Sequence, residues 1–170
     1  LALPDITTKT ENEELTNEEW AVASTAIDEA LHALVDFRKQ EGAALQHKFN
    51  EKINNIEALL ASIEPYEKSR VQIPSVDYDK NRLEQELIYY IEKLDISEEK
   101  QRLTNHLNYF RETMQEEGHG VGKKLGFIAQ EMGREINTTG SKSNQAEMQN
   151  IVVKMKDELE QIKEQVLNAL

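Results

Sequence analysis

The sequence contains no cysteine. That excludes disulfide frameworks, thiolate zinc sites and cysteine nucleophiles. Glycine and proline are scarce, seven and three in 170 residues. An all-β sandwich or barrel needs such turn-formers every 8–12 residues or so, too many for this chain. No run approaches the ~18 consecutive apolar residues of a membrane span, and no basic-then-apolar leader precedes the first helix. A soluble, cytoplasmic protein with no membrane partner is expected. A start at Leu1 rather than Met predicts a piece of a longer chain. Charge of one sign is also short: 20 Lys and Arg face 32 Asp and Glu, a net charge of -12. Non-specific phosphate binding needs clustered cations, so any nucleic-acid role must rest on a local basic patch.

What remains is a chain that is 31% charged and 38% apolar, a balance suited to amphipathic helices. Residues 1–16 are polar and aperiodic and read as an arm or linker. Asn17 is the expected N-cap of the first helix, followed by acidic Glu18 and Glu19. From Trp20 to Ile63 there is no proline, and Trp20, Ile27, Leu31, Leu34, Leu45, Phe49, Ile53, Ile56, Leu60 and Ile63 recur mostly at three, four or seven residues. This predicts one long helix, straight or bent near Gly42. The stripe is interrupted by Arg38 and Glu41. They form either a solvated ion pair or a polar cluster buried against another helix or subunit.

Pro65 is expected to end that helix, with a loop to Asp79. A second helical region follows, with a capping box at Asp95 and Glu98. Its stripe is Leu103, Leu107, Phe110 and Met114. A third helix is expected from about Val121 to Asn137, then a turn at Thr138–Ser143. The last helix, capped by Ser143 or Asn144, carries Met148, Val152, Met155, Leu159, Ile162, Val166 and Ala169. That is a heptad seam of coiled-coil type. The fold expected is all-α: elongated long-helix hairpins with a coiled-coil-like C-terminal helix. The organisation expected is an arm over 1–16, a helical extension and loop over 17–78, and a helical C-terminal domain over 79–170.

Several clusters could carry chemistry. The run GHGVGKK fails as a phosphate loop, because the glycine spacing is short and Lys124 stands where a hydroxyl is required. It reads as a hinge. Glu131 and Glu135, at i and i+4, place two carboxylates on one helix face, where they repel unless neutralised. Either Arg134 neutralises them or a hard divalent cation sits between them. Asp95, Glu98 or Glu99, Arg102 and His106 share a second face. His106 is either a core-edge residue or a general base or ligand. Between residues 119 and 142 the four cations Lys123, Lys124, Arg134 and Lys142 outnumber Glu131 and Glu135, giving a local charge of +2. Cations beside paired carboxylates suit a metal-assisted phosphodiester site.

The stretch GKKLGFIAQEMGREINTTGSKSNQAE closely resembles the signature of the YicC/YloC endoribonuclease family, roughly G-R-K-L-D-F-x-x-Q-E-M-N-R-E-x-N-T-x-x-S-K. DISEEKQRLTNH is similar to that family's D-I-x-E-E-x-x-R-L-x-x-H, FRKQEGAAL to its M-R-x-x-E-G-x-x-L, and IKEQVLN to its I-R-E-Q-V-Q-N. The resemblance spans about residues 15–170 and implies the C-terminal part of such a protein, without the family's N-terminal domain of mixed strands and helices. It implies a metal-dependent endonuclease for single-stranded RNA that assembles as a hexamer. Carried onto this sequence, Glu98, Glu99, Glu131 and Glu135 would hold Mn²⁺ or Mg²⁺. Catalysis would fall to His106, Glu131 and Glu135, and RNA phosphates to Lys123, Lys124, Arg134, Asn137 and Lys142. Two positions depart from the pattern: Gly126 replaces its usual Asp, and Gly133 its usual Asn. The alternative is a structural or oligomerisation module, with catalysis or RNA binding elsewhere in the protein.

Overall fold

The computed structural model describes residues 15–69, 88–89, 91–116, 118 and 120–167. Among these there is no strand. Among the described residues the fold is carried by α1 (Asn17–Ala61), α2 (Glu64–Ser69), α3 (Ser97–Thr113), α4 (Val121–Lys142) and α5 (Ala146–Val166). The all-α expectation holds. No helix among the described residues is long and apolar enough to cross a membrane. The chain divides into two units, Leu1–Glu41 and Gly42–Leu170.

In the first unit the cap of α1 falls one residue earlier than expected. The Thr16 hydroxyl accepts the Glu19 N–H at 3.2 Å, and Glu19 Oε2 accepts the Thr16 N–H at 2.9 Å. That reciprocal pair is a capping box, which makes Thr16 rather than Asn17 the cap. The apolar side chains of this unit find no cover within it. Trp20, Val22, Ile27, Leu31, Leu34, Val35 and Phe37 are all exposed. Arg38 and Glu41, the break in the stripe, are exposed too.

The second unit holds the core. Phe49, Ile53, Ile56 and Leu60 of α1 are buried with Leu103, Leu107 and Phe110 of α3. Phe49 meets Phe110 edge to face, with centroids 5.6 Å apart, the arrangement ring quadrupoles favour. The stripe of α5 is buried as its spacing predicts, from Met148 to Val166; Ala169 lies outside the described residues. Ion pairs at the rim join the helices: Lys52 to Glu158 at 3.1 Å between α1 and α5, and Arg111 to Glu57 at 2.6 Å between α3 and α1.

Four further boundaries differ from those expected, each for a local reason. Pro65 does not open a loop. It stands in the first turn of α2, where its missing N–H costs nothing. The rest of the expected loop and the start of the helix after Asp79 lie outside the described residues. Asp95 does not form a box with Glu98. Its carboxylate accepts the Ser97 N–H at 2.9 Å and hydroxyl at 2.5 Å, while Glu98 pairs with Arg102. Thr138–Lys142 is not a turn but the last turn of α4. Hydroxyls of Thr138, Thr139 and Ser141 donate to carbonyls three or four residues back, at 2.8–3.1 Å, so residues that usually leave a helix are satisfied within it. The expected Ser143 or Asn144 cap is likewise replaced. Gln145 is the N-cap of α5 without a side-chain cap bond. Gln149 Nε2 instead ties α5 back to the carbonyls of Gly140 and Ser143, at 2.7 Å each.

Candidate functional site

Helices α3 and α4 pack against each other, and two lysines of α4 fix how. At one end Lys142 Nζ donates to Glu99 Oε1 at 2.7 Å and to the Asp95 carbonyl at 2.9 Å. At the other, Lys124 Nζ donates to Glu116 at 2.5 Å. The start of α3 therefore meets the end of α4, and the two run antiparallel. His106 stands seven residues after Glu99, and Glu135 seven before Lys142. Seven residues are close to two helical turns, ~10.5 Å. Counted from the two Lys142 contacts, Glu135 stands level with residues 102–106 of α3, the turn that ends at His106. Both are half-buried. Neither side chain has a hydrogen bond or ion pair among the described residues.

The other carboxylates assigned to the site from the sequence are paired. Glu131 pairs with Arg134 at 2.8 Å. Glu98 pairs with Arg102 along an exposed face. Glu99 is buried, with Lys142 on one oxygen and no partner for Oε2. Among the described residues no three His, Asp or Glu side chains stand close enough to hold a metal ion. A hard divalent cation takes about six oxygen donors. With three of the four carboxylates committed to cations, the set Glu98, Glu99, Glu131 and Glu135 does not fit a metal as this chain places it.

The cations separate in the same way. Lys142 and Lys124 serve the seam. The Lys124 ammonium is held above its usual pKa by its hydrogen bond to Glu116, then by Tyr109, whose ring centroid lies 5.0 Å away. Hydrogen bonds from the Ser97 hydroxyl and N–H hold the Asp95 carboxyl below its usual range. Lys123, Arg134 and Asn137 lie on the outward face of α4 and are exposed.

One feature of α4 escaped the motif reading. Gly126, Gly133 and Gly140 recur every seven residues along the side that faces α5. A Cβ on each would meet Val166 Cγ1 at 3.4 Å, Leu159 Cδ2 at 3.3 Å and Val152 Cγ1 at 3.0 Å. The two departures from the family pattern are thus members of a close helix-packing seam. Their heptad spacing was visible in the sequence. The glycines of the preceding segment act differently. Gly118 and Gly120 adopt φ of 127° and 92°, which only glycine takes without strain, and Gly120 turns the chain into α4.

Comparison with known proteins gives the same affiliation as the motifs. The family described as "Endoribonuclease YicC-like, C-terminal" matches residues 51–169, and "Endoribonuclease YicC-like, N-terminal region" matches residues 1–47. The first 47 residues, read from the sequence as an arm and the start of an extension, therefore match the family's N-terminal region. A protein of Clostridioides difficile named "Probable endoribonuclease YicC" is 34% identical over 180 aligned positions, covering 97% of this chain and 61% of that protein. One of the same name from Haemophilus influenzae is 31% identical over 161, covering 85% of this chain and 54% of its own length. The chain thus spans somewhat more than half the length of these relatives. With the C-terminal model matched over most of the sequence, from the end of α1 through α5, this chain belongs to the YicC-like endoribonuclease family.

Proposed function

We propose that the chain is the RNA-cleaving portion of a cytoplasmic endoribonuclease acting on single-stranded RNA, with strand scission at the α3–α4 seam. The observation that supports this is the pair His106 and Glu135, half-buried on neighbouring stretches of α3 and α4 and without a side-chain partner among the described residues. Imidazole and carboxylate are both able to accept and donate protons. In this reading one takes a proton from the oxygen attacking phosphorus. The other delivers a proton to the oxygen that leaves as the P–O bond breaks. Arg102 and Arg134, each held by a single glutamate on an exposed face, supply positive charge to the phosphate in this reading. No step is assigned to a metal ion, because among the described residues the donors for one are not assembled.

The test is cleavage of labelled single-stranded RNA by the 170-residue chain, with Mn²⁺, with Mg²⁺ and with EDTA. His106→Asn and Glu135→Gln are each expected to slow cleavage about 10²–10⁴-fold while the helical content stays unchanged. Full activity in either variant contradicts the assignment. Activity lost only in EDTA moves the chemistry to a metal site built from other residues.

A second reading has its own support. Trp20, Ile27, Leu31 and Leu34, all exposed and at helical spacing, form one face of the first unit suited to assembly. The chain then serves as an oligomerisation module, in a hexamer on the family resemblance, and RNA chemistry resides elsewhere in the protein. Light scattering on Arg134→Ala separates the two. A smaller mass with the fold intact favours assembly through α4. Lost cleavage at unchanged mass favours the seam.

A further inference from the structure

The outward stripe of α4 has a composition unlike the rest of the protein. Positions 123, 127, 130, 134, 137 and 141 follow steps of four and three, the period of one helix face. They carry Lys, Phe, Gln, Arg, Asn and Ser, every one exposed. In a chain of net charge -12, this stripe holds no carboxylate over its length of ~27 Å. Among the described residues its ion pair runs sideways, from Arg134 to Glu131 at 2.8 Å, and leaves the Arg134 side chain 73% exposed. Phe127 is 57% exposed. The Lys123 ammonium stands 5.9 Å from the centre of its ring, so a cation and a flat apolar face are presented together. An exposed Phe amid cations, amides and a hydroxyl is the chemistry of a single-strand platform. Bases stack on the ring, Lys and Arg meet phosphates, and amides and hydroxyls hydrogen-bond whatever polar edges arrive.

We infer that Phe127, flanked by Lys123, Gln130 and Arg134, is a stacking platform for an unpaired RNA base, and that the α4 stripe is the track along which the strand is held. The inference rests on the endoribonuclease reading for the nature of its ligand. It adds a residue with no proton to exchange, and it removes Lys124 and Lys142 from the phosphate contacts, because both ammonium groups are already paired, with Glu116 and Glu99. A duplex buries its base faces, so the platform selects against paired RNA.

The test is fluorescence anisotropy with the 170-residue chain and two short labelled strands in EDTA: an unstructured A-rich RNA and an abasic strand of equal length. Because Phe127 is exposed, its replacement leaves the core untouched. Phe127→Ala is expected to weaken binding of the A-rich strand about tenfold or more, the loss typical of one stacked base. It should leave the abasic strand unaffected. Phe127→Trp should restore affinity, with indole fluorescence quenched on binding beyond that of Trp20 alone. Arg134→Ala should weaken both strands. Val153→Ala, which trims an exposed apolar residue of α5, is the control.

Equal affinity of wild type and Phe127→Ala for the A-rich strand overturns the platform while leaving the endoribonuclease reading intact. A wild-type chain that binds neither strand overturns both. A fall in molecular mass of Phe127→Ala by light scattering makes the stripe a contact between copies of the chain, and overturns the platform in favour of assembly.

Discussion

The glycine seam between α4 and α5 permits a graded test in which one substitution, Gly→Ala, should change sign along a single helix. In a helix interior Ala is favoured over Gly by about 0.8–1.0 kcal/mol. Against that gain stands whatever the new methyl meets. At Gly126 the nearest atom is Val166 Cγ1 at 3.4 Å, ordinary contact. Gly126→Ala should therefore stabilise by about 0.5–1 kcal/mol. At Gly133 the neighbours are Leu159 Cδ2 at 3.3 Å and Lys163 Nζ at 3.5 Å, both ends of flexible side chains. Small movements offset the gain, and the net effect should be near zero. At Gly140 the methyl would stand 3.0 Å from Val152 Cγ1. Val152 is buried, and a β-branched side chain in a helix has essentially one χ1 rotamer, so it cannot swing aside. Overpacking costs ~1–3 kcal/mol, and the propensity gain is smaller in the last turn. Gly140→Ala should destabilise by about 1–2 kcal/mol. Urea unfolding followed by circular dichroism reads the order from the midpoints, provided the slope is unchanged. A Gly140→Ala protein as stable as wild type, or all three variants shifting in one direction, refutes the packing argument.

Further consequences concern the seam and the first unit. Lys142→Met strands the buried Glu99 carboxylate without its cation. A fully buried pair loses ~3–5 kcal/mol in this way; partial exposure of Lys142 lowers the expectation to about 2–3 kcal/mol by urea unfolding, and a loss below experimental error contradicts the tie. The Asp95 carboxyl, lowered by Ser97, contributes stability that is present above the ordinary carboxylate range and lost as pH falls through its folded value. Ser97→Ala should raise its titration midpoint toward the usual value in an NMR titration, and an unchanged midpoint rules out the hydroxyl as the cause. Leu34→Glu places charge in the exposed apolar face of the first unit. Under the assembly reading it should lower the mass by light scattering, and an unchanged mass removes this face from assembly.

Much of the helical plan was legible because the apolar periodicity is regular where burial is one-sided. The α5 stripe and the Phe49–Leu60 stripe of α1 are buried where their spacing places them. The first unit shows the limit of that signal. Trp20, Ile27, Leu31 and Leu34 share the same period yet are exposed, since periodicity marks a face without saying whether this chain covers it. Boundaries were less legible. Hydroxyl side chains and Gly140 argued for a turn, and back-bonding to carbonyls kept them helical. At the site, spacing identified the charged residues but could not apportion them. Glu98, Glu131 and Lys142 found partners within the chain, and only the antiparallel register, invisible to a one-dimensional reading, singled out His106 with Glu135.

The central claim is that His106 and Glu135 act as a unit across the α3–α4 seam. The most direct measurement is a double-mutant cycle on single-turnover cleavage of single-stranded RNA, using His106→Asn, Glu135→Gln and the double variant. Groups that act as a unit are strongly non-additive. The account predicts that the double variant is no slower than the slower single variant. Losses that multiply, each substitution subtracting its full effect from the other, would contradict it.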